Sequence, residues 1–173
     1  ERAGEIIKRL RSMVSRRQPN REVVDLNLLA SETCSMISHE LKRFEVTIEQ
    51  RLLARPLWVR VDSVQIEQVL LNLLRNALDA LSEEPVGKRQ LTVSSGIQAD
   101  GMVYVSVEDN GPGITRASME HLFDPFFSTK DSGMGMGLAI SQTIMNNHHG
   151  KIRADSWPGK GSSFTIELPP SVE

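Results

Sequence analysis

The stretch DSVQIEQVLLNLLRNALDAL, residues 62–81, decides how the rest of the chain is read. Asp62 followed three residues later by Gln65 resembles a capping box, in which the two side chains satisfy the amides that an opening helix leaves bare. The spacing predicts a helix to Leu81. At about 100° per residue, Asn72, Asn76 and Asp79 fall within about 60° of one another, with Gln65, Gln68 and Arg75 on or beside that line. The rest of the circumference carries the apolar set Ile66, Val69, Leu70, Leu71, Leu73, Leu74, Ala77, Leu78 and Leu81. A helix this apolar is buried, and buried amides and carboxylates need partners. Either neighbouring backbone satisfies them or they line a cleft that holds a polar ligand.

Downstream the hydrophobic period changes to two. Leu91–Ile97 and Met102–Asp109 read as a hairpin around Ala99-Asp100-Gly101, where Asp-Gly supplies a positive-φ turn. DNGPGI, residues 109–114, follows directly, placing Asp109 at a strand end with a tight turn after it. A buried carboxylate beside glycines that expose backbone can accept from an exocyclic amine such as that of adenine. Gly133-Met134-Gly135-Met136-Gly137 leads into a helix over about 138–147, and glycines at a helix N-terminus leave amides and the positive dipole end available for phosphate. Neither the P-loop pattern nor the dinucleotide fingerprint is present; Gly159-Lys160-Gly161 fails the first. Strands near 151–156 and 163–168 flank Pro158-Gly159-Lys160-Gly161.

Upstream, Ile6, Ile7, Leu10, Met13 and Val14 form one stripe of an amphipathic helix. Residues 1–21 carry seven Lys/Arg and two Asp/Glu, a net +5, leaving 13 − 20 = −7 for the remainder. The basic residues read as a solvated face of a helix whose partner helices are missing. Gln18-Pro19-Asn20 breaks that helix, since proline lacks an amide hydrogen. A second helix is predicted over about 26–42, with Ala30, Cys34, Ile37 and Leu41 inward, and strands over Val46–Leu52 and Leu57–Val61.

With 173 residues and a net charge of −2, the chain suits one domain with a short appendage. Near-neutral charge argues against a nucleic-acid binder, no apolar run reaches the roughly 18–20 residues of a membrane span, and no secretory signal opens the chain. The lone Cys34 permits no internal disulfide, and the four histidines lack zinc spacing. A soluble, cytoplasmic domain without direct membrane contact is expected, as an excised fragment of a longer protein.

The specific feature is an ordered set: the polar-striped helix, then DNGPGI, FDPFFSTK (123–130), GMGMGLA (133–139) and GKGSSF (159–164). In these the chain resembles the ATP-binding catalytic domain of two-component sensor histidine kinases, within the superfamily that includes DNA gyrase and MutL. The segments match that family's five nucleotide-binding boxes in order, over about residues 25–170. The opening RAGEII (2–7) and QVLLNLLRNA (68–77) are most similar to the oxygen-sensing and nitrogen-regulatory branch.

The resemblance implies a Bergerat-type fold: a two-layer α/β sandwich with a mixed β-sheet covered by helices on one face. Residues 1–20 would be the truncated C-terminal end of a dimerisation and phosphoacceptor bundle, and 21–173 the catalytic domain. It implies that Asp109 accepts from the adenine amine, with Gly113 and Ser162 completing adenine recognition, partly through water, and Gly111 and Ile114 among the other ATP-binding residues. Asn76 would ligate Mg2+. Asn72 would stand near the phosphates, which Gly133, Gly135, Gly137 and Leu138 cradle and Lys130 and Arg75 neutralise. Asn72 and Lys130 would be the catalytic pair. Residues 115–132 would form a lid over the nucleotide, anchored by Phe123, Phe126 and Phe127. The implied function is binding of Mg·ATP and donation of its γ-phosphate to a histidine on the upstream domain of a homodimer, for onward transfer to an aspartate on a response regulator receiver domain.

Two departures from the family matter. Hydrolytic relatives carry a glutamate where Asn72 stands, and an amide cannot act as general base, so ATP should be held for transfer. Many sensor kinases have a lysine where this chain has Asp79, whose expected role shifts to orienting Asn76 or a metal-bound water. Ser38-His39-Glu40-Leu41 mimics the start of a phosphoacceptor box. However, His39 shares a face with Glu32 and Ser35, no proline follows, and it lies after the basic helix; the acceptor is expected upstream of Glu1. His148-His149 reads as a helix end. The rival readings are a hydrolysis-gated clamp of the gyrase type, a protein-serine kinase of the anti-sigma or mitochondrial dehydrogenase kinase type, and a nucleotide-binding module without transfer.

Overall fold

A computed structural model describes residues 19–129 and 135–172. The leading helix predicted over 1–17 lies outside the described residues, as do Lys130 and Gly133.

β1 (Glu22–Asp25) leads into α1 (Leu26–Met36) and α2 (Ser38–Arg43), followed by β2 (Thr47–Arg51), β3 (Trp58–Val61) and α3 (Ser63–Leu81). The hairpin β4 (Gln90–Ile97) and β5 (Val103–Asp109) is followed by the single turn α4 (Arg116–Met119), then α5 (Gly137–Asn147), β6 (Lys151–Trp157) and β7 (Gly161–Leu168). The main sheet runs β2-β4-β5-β7-β6, with β2 parallel to β4 and every other pair antiparallel. It is therefore mixed, as expected. β1 and β3 form a separate antiparallel ribbon.

Alternation builds the core. Leu91, Val93, Val103, Val105, Val107, Phe164, Ile166 and Leu168 point to one face of the sheet and pack with α1, α3 and α5. Along α3, Ile66, Val69, Leu70, Leu73, Leu74, Ala77, Leu78 and Leu81 are buried, and at about 25 cal/mol per Å2 the Ile, Val and Leu side chains among them contribute roughly 1.5–3 kcal/mol each. The Asp-Gly turn is present, with Gly101 at φ 87°.

The single helix predicted over 26–42 is two. Ile37 leaves helical geometry (φ −96°, ψ 10°) while its side chain is fully buried. Just before it, the hydroxyls of Thr33 and Ser35 donate back to Leu29 O and Ser31 O, a competition with the helix ladder that bends helices. The inward set Ala30, Cys34, Ile37 and Leu41 is buried as predicted. β1 was not foreseen: four residues paired to a strand more than thirty positions away leave little periodicity to read. The capping box is half formed. Asp62 Oδ1 accepts from Gln65 N at 3.2 Å, but the amide of Asp62 donates to His148 Nε2 at 3.1 Å, not to the Gln65 side chain.

Candidate functional site

The site is built where β5 ends. Asp109, 4% exposed, is the last residue of β5, and the glycine-punctuated loop 110–114 leaves the sheet directly after it. Ser162 stands opposite it in register on β7 and donates to Asp109 Oδ2 at 2.8 Å, while Gly111 N donates to Oδ1 at 2.9 Å. Burial raises the Asp109 pKa above the usual aspartate value, and the Ser162 and Gly111 hydrogen bonds pull partly the other way. A buried carboxylate with acceptor capacity to spare is matched to a ligand bearing an N–H donor.

The DNGPGI loop is fixed by partners outside its own sequence. Asn110 Oδ1 accepts from Gln90 N at 2.8 Å and Asn110 Nδ2 donates to Lys88 O at 2.7 Å. Ser156 accepts from Ile114 N at 2.7 Å and donates to Gly161 O at 3.0 Å, and Gly159 N donates to Pro112 O at 2.6 Å. The loop is thus stitched to the β6–β7 turn. Gly113 (φ 76°) lies so close to Trp157 that a Cβ would land on that carbonyl, which excludes any side chain there.

The second wall is α3. Asn72, Asn76 and Asp79 lie on one face, as predicted. Asn72 Nδ2 donates to Ser141 Oγ on α5 at 3.1 Å, and its Oδ1 lies against Gly137, the first residue of α5. The polar stripe of α3 is therefore brought against the N-terminal turn of α5. Asn76 is half-buried on the next turn. Asp79 is exposed but is not a free carboxylate. Arg75, expected at the phosphates, is 57% exposed and reaches Glu40 on α2 at 3.4 Å. Gly135 (φ 67°) accepts from Phe126 N at 2.9 Å and abuts the Phe126–Phe127 backbone so closely that a Cβ would not fit, joining the phenylalanine segment to the glycine segment. Ile114, Phe123 and Leu138 pack half-buried against the core. Phe126, expected to anchor the lid, is 77% exposed with φ 67°: its positive-φ backbone faces Gly135 and turns the ring outward.

Sequence reasoning missed Ser141 and Ser156, whose contacts only folding creates; His148 caps the end of α5, as predicted, and is buried. His39 is exposed, as expected. Among the described residues no cluster of three or more His, Cys, Asp or Glu could hold a metal ion. A divalent cation at this site would have to arrive with phosphate oxygens, and Asn76 Oδ1 is the type of single protein ligand that Mg2+ accepts. No helix among the described residues is long and apolar enough to cross a membrane.

A buried carboxylate at a strand end, a helix carrying two asparagines and a glycine-led helix N-terminus packed against that helix are the parts of an ATPase-type nucleotide domain. Residues 61–172 match the family model described as histidine kinase-, DNA gyrase B-, and HSP90-like ATPase, and the chain belongs to that family. Its relatives include the sensor protein FixL of Bradyrhizobium diazoefficiens (38% identical, over 99% of this chain and 34% of FixL) and the C4-dicarboxylate transport sensor protein DctS of Rhodobacter capsulatus (39%, over 97% of this chain and 25% of DctS). The chain spans about a third or less of these relatives. Among solved structures it is similar to the catalytic domain of the histidine kinase ThkA (30% identical, TM-score 0.76, covering 87% of this chain and 95% of that one). It is also similar to ThkA in complex with the response regulator protein TrrA (27%, TM-score 0.80, covering 98% and 48%).

Proposed function

We propose that this chain is the phosphoryl-donor domain of a protein-histidine kinase. Mg·ATP binds between α3 and the DNGPGI loop, and its γ-phosphate passes to a histidine on a dimerisation domain joined through residues 1–20. From there it passes to a response regulator aspartate. ThkA, whose catalytic domain this chain resembles, has been crystallised with a response regulator. Residues 21–173 are the catalytic domain, working as the cytoplasmic part of the sensor.

The observation that carries the reading is the buried Asp109, tied to Ser162 and Gly111 and with lone pairs remaining for an adenine amine. Gly113 and Ile114 bring backbone to the base. Asn76 supplies the protein oxygen for Mg2+, which when bound offsets charge on the transferring phosphate. Gly135, Gly137 and Leu138, with Gly133 and Lys130, serve the phosphates. The exposed Arg75–Glu40 pair is weak, so Arg75 can exchange Glu40 for phosphate. Asn72 cannot take a proton from water, and Asp79 orients the Asn76 side. Catalysis is therefore positioning and charge compensation.

Titration calorimetry with ATP, ADP and GTP, with and without Mg2+, tests the nucleotide reading. ATP and ADP should bind. GTP, which places a carbonyl where adenine has its amine, should not; equal GTP binding would refute the Asp109 assignment. Acid-labile label from γ-labelled ATP on an added acceptor domain is the transfer test, and acid-stable or absent label would sink the kinase reading.

A further inference from the structure

α3 and α5 form an antiparallel pair held by a clasp at each end. At the nucleotide end Asn72 meets Ser141 and Gly137. At the other end, roughly 14–16 Å away along helices rising 1.5 Å per residue, the clasp is His148. This side chain is 3% exposed. Its Nδ1 is 2.8 Å from Ile144 O, and its Nε2 is 3.1 Å from Asp62 N. A carbonyl can only accept and an amide N–H can only donate, so Nδ1 carries the hydrogen, Nε2 is the acceptor and the ring is neutral.

The clasp also reaches the chain entrance. Asp62 Oδ2 accepts from Asn20 N at 3.1 Å, the Arg21 guanidinium donates to the carbonyl of Asn147, next to His148, and Ser63 Oγ donates to Glu22 Oε1 at 2.9 Å. The residues that follow position 18 are thus bonded to the far ends of the two helices whose near ends form the nucleotide site. A histidine buried only to fill the core would not need a partner that is itself bonded to the entering strand.

We propose that His148 is a positioning residue for phosphoryl transfer: it locks the α3–α5 pair, and with it the nucleotide site, to the point where the chain enters from residues 1–18. The proposal rests on the donor-domain reading above. The lock sets where the γ-phosphate points relative to the acceptor, and it leaves the base and phosphate contacts as they are.

In a kinase containing this chain and its acceptor domain, His148→Leu removes both ring bonds. The initial rate of acceptor labelling should fall at least 5-fold with KM for ATP unchanged. His148→Gln, which returns an acceptor to the Asp62 amide, should recover most of that rate. Asn20→Pro deletes the amide hydrogen bonded to Asp62 and should lower the rate similarly, with the double variant no worse than either single one. Additive losses, or KM rising in step with the rate loss, would overturn the proposal. Hydrogen exchange on the 173-residue chain needs no transfer: His148→Leu should deprotect the amides of Asn20 and Asp62 and leave those of the 109–114 loop unchanged. Unchanged protection at Asn20 removes the lock. A wild-type kinase that never labels histidine refutes the donor reading instead, and the exchange result still decides the lock. If His148→Leu does not fold by circular dichroism, Asn20→Pro carries the rate readout and His148→Gln, retaining protection at Asn20, carries the exchange readout; loss of that protection counts against the proposal.

Discussion

Ser162 Oγ and Asp109 Oδ2 are 2.8 Å apart across the β5–β7 pair, in direct register. The serine turns one lone pair of the carboxylate away from the cleft and so sets which remain for a ligand. Ser162→Ala is expected to weaken ATP binding by about 1 kcal/mol, roughly 5-fold, the ordinary net value of such a bond. Calorimetry reads this directly, and unchanged affinity would show that Asp109 needs no orienting partner.

Asp109→Asn separates binding from stability. Burial raises the folded pKa of Asp109 above its unfolded value. The folded state therefore holds the proton more tightly, and this contribution to stability is full below the unfolded pKa and is lost as pH rises through the folded one. At neutral pH the ionised carboxylate costs stability. The variant should melt higher than wild type without nucleotide, while losing about 1.5–3 kcal/mol of ATP affinity for a charged hydrogen bond. In wild type, ATP affinity should fall on acidification at a pH above that of an ordinary aspartate. Scanning calorimetry and a pH series of titrations check both; a lower melting temperature would contradict the burial argument.

Gly137→Ala would place a methyl group on Asn72 Oδ1. Forcing α5 away from α3 should cost about 1–3 kcal/mol of stability, the usual penalty of overpacking, and should weaken ATP binding through the displaced helix N-terminus. Thermal melts and titrations with ATP are the measurements. A variant with wild-type affinity would show that the close approach of Asn72 is incidental.

Asn27→Ala probes a buried network remote from the site. Asn27 donates to Leu53 O and Arg55 O and accepts from Ser95 Oγ. Its removal strands polar atoms in the interior and should cost about 2–3 kcal/mol in urea unfolding, with ATP affinity unchanged. A parallel loss of affinity would mean that the β2–β3 connection communicates with the cleft.

Asn76→Ala should weaken ATP binding only when Mg2+ is present. An equal loss in EDTA, read by the same titration, would remove the metal role.

Much of the fold was legible because its signals are local. The period-two runs became β4 to β7, the Asp-Gly turn closed the hairpin, and the apolar circumference of residues 62–81 became the buried faces of α3. Where the reading failed, a distant partner had decided. Ile37 breaks its helix to stay in the core, and β1 exists through pairing with β3. A mean-field pattern along one segment contains neither of these, because each depends on what another segment presents.

The chain's own order of residues was sufficient to nominate the candidate site: a carboxylate at a strand end, two amides one helical turn apart and glycines opening a helix are properties of short stretches. Which atoms those groups offer was settled only by packing. Ser162 and Gly111 occupy part of Asp109, Ser141 takes the Asn72 amide hydrogen, and His148 replaces Gln65 at the Asp62 amide. A backbone or buried polar group must find a partner somewhere in the folded molecule, and the distance along the chain to that partner, from two residues to eighty-six, is not written in the residue that needs it.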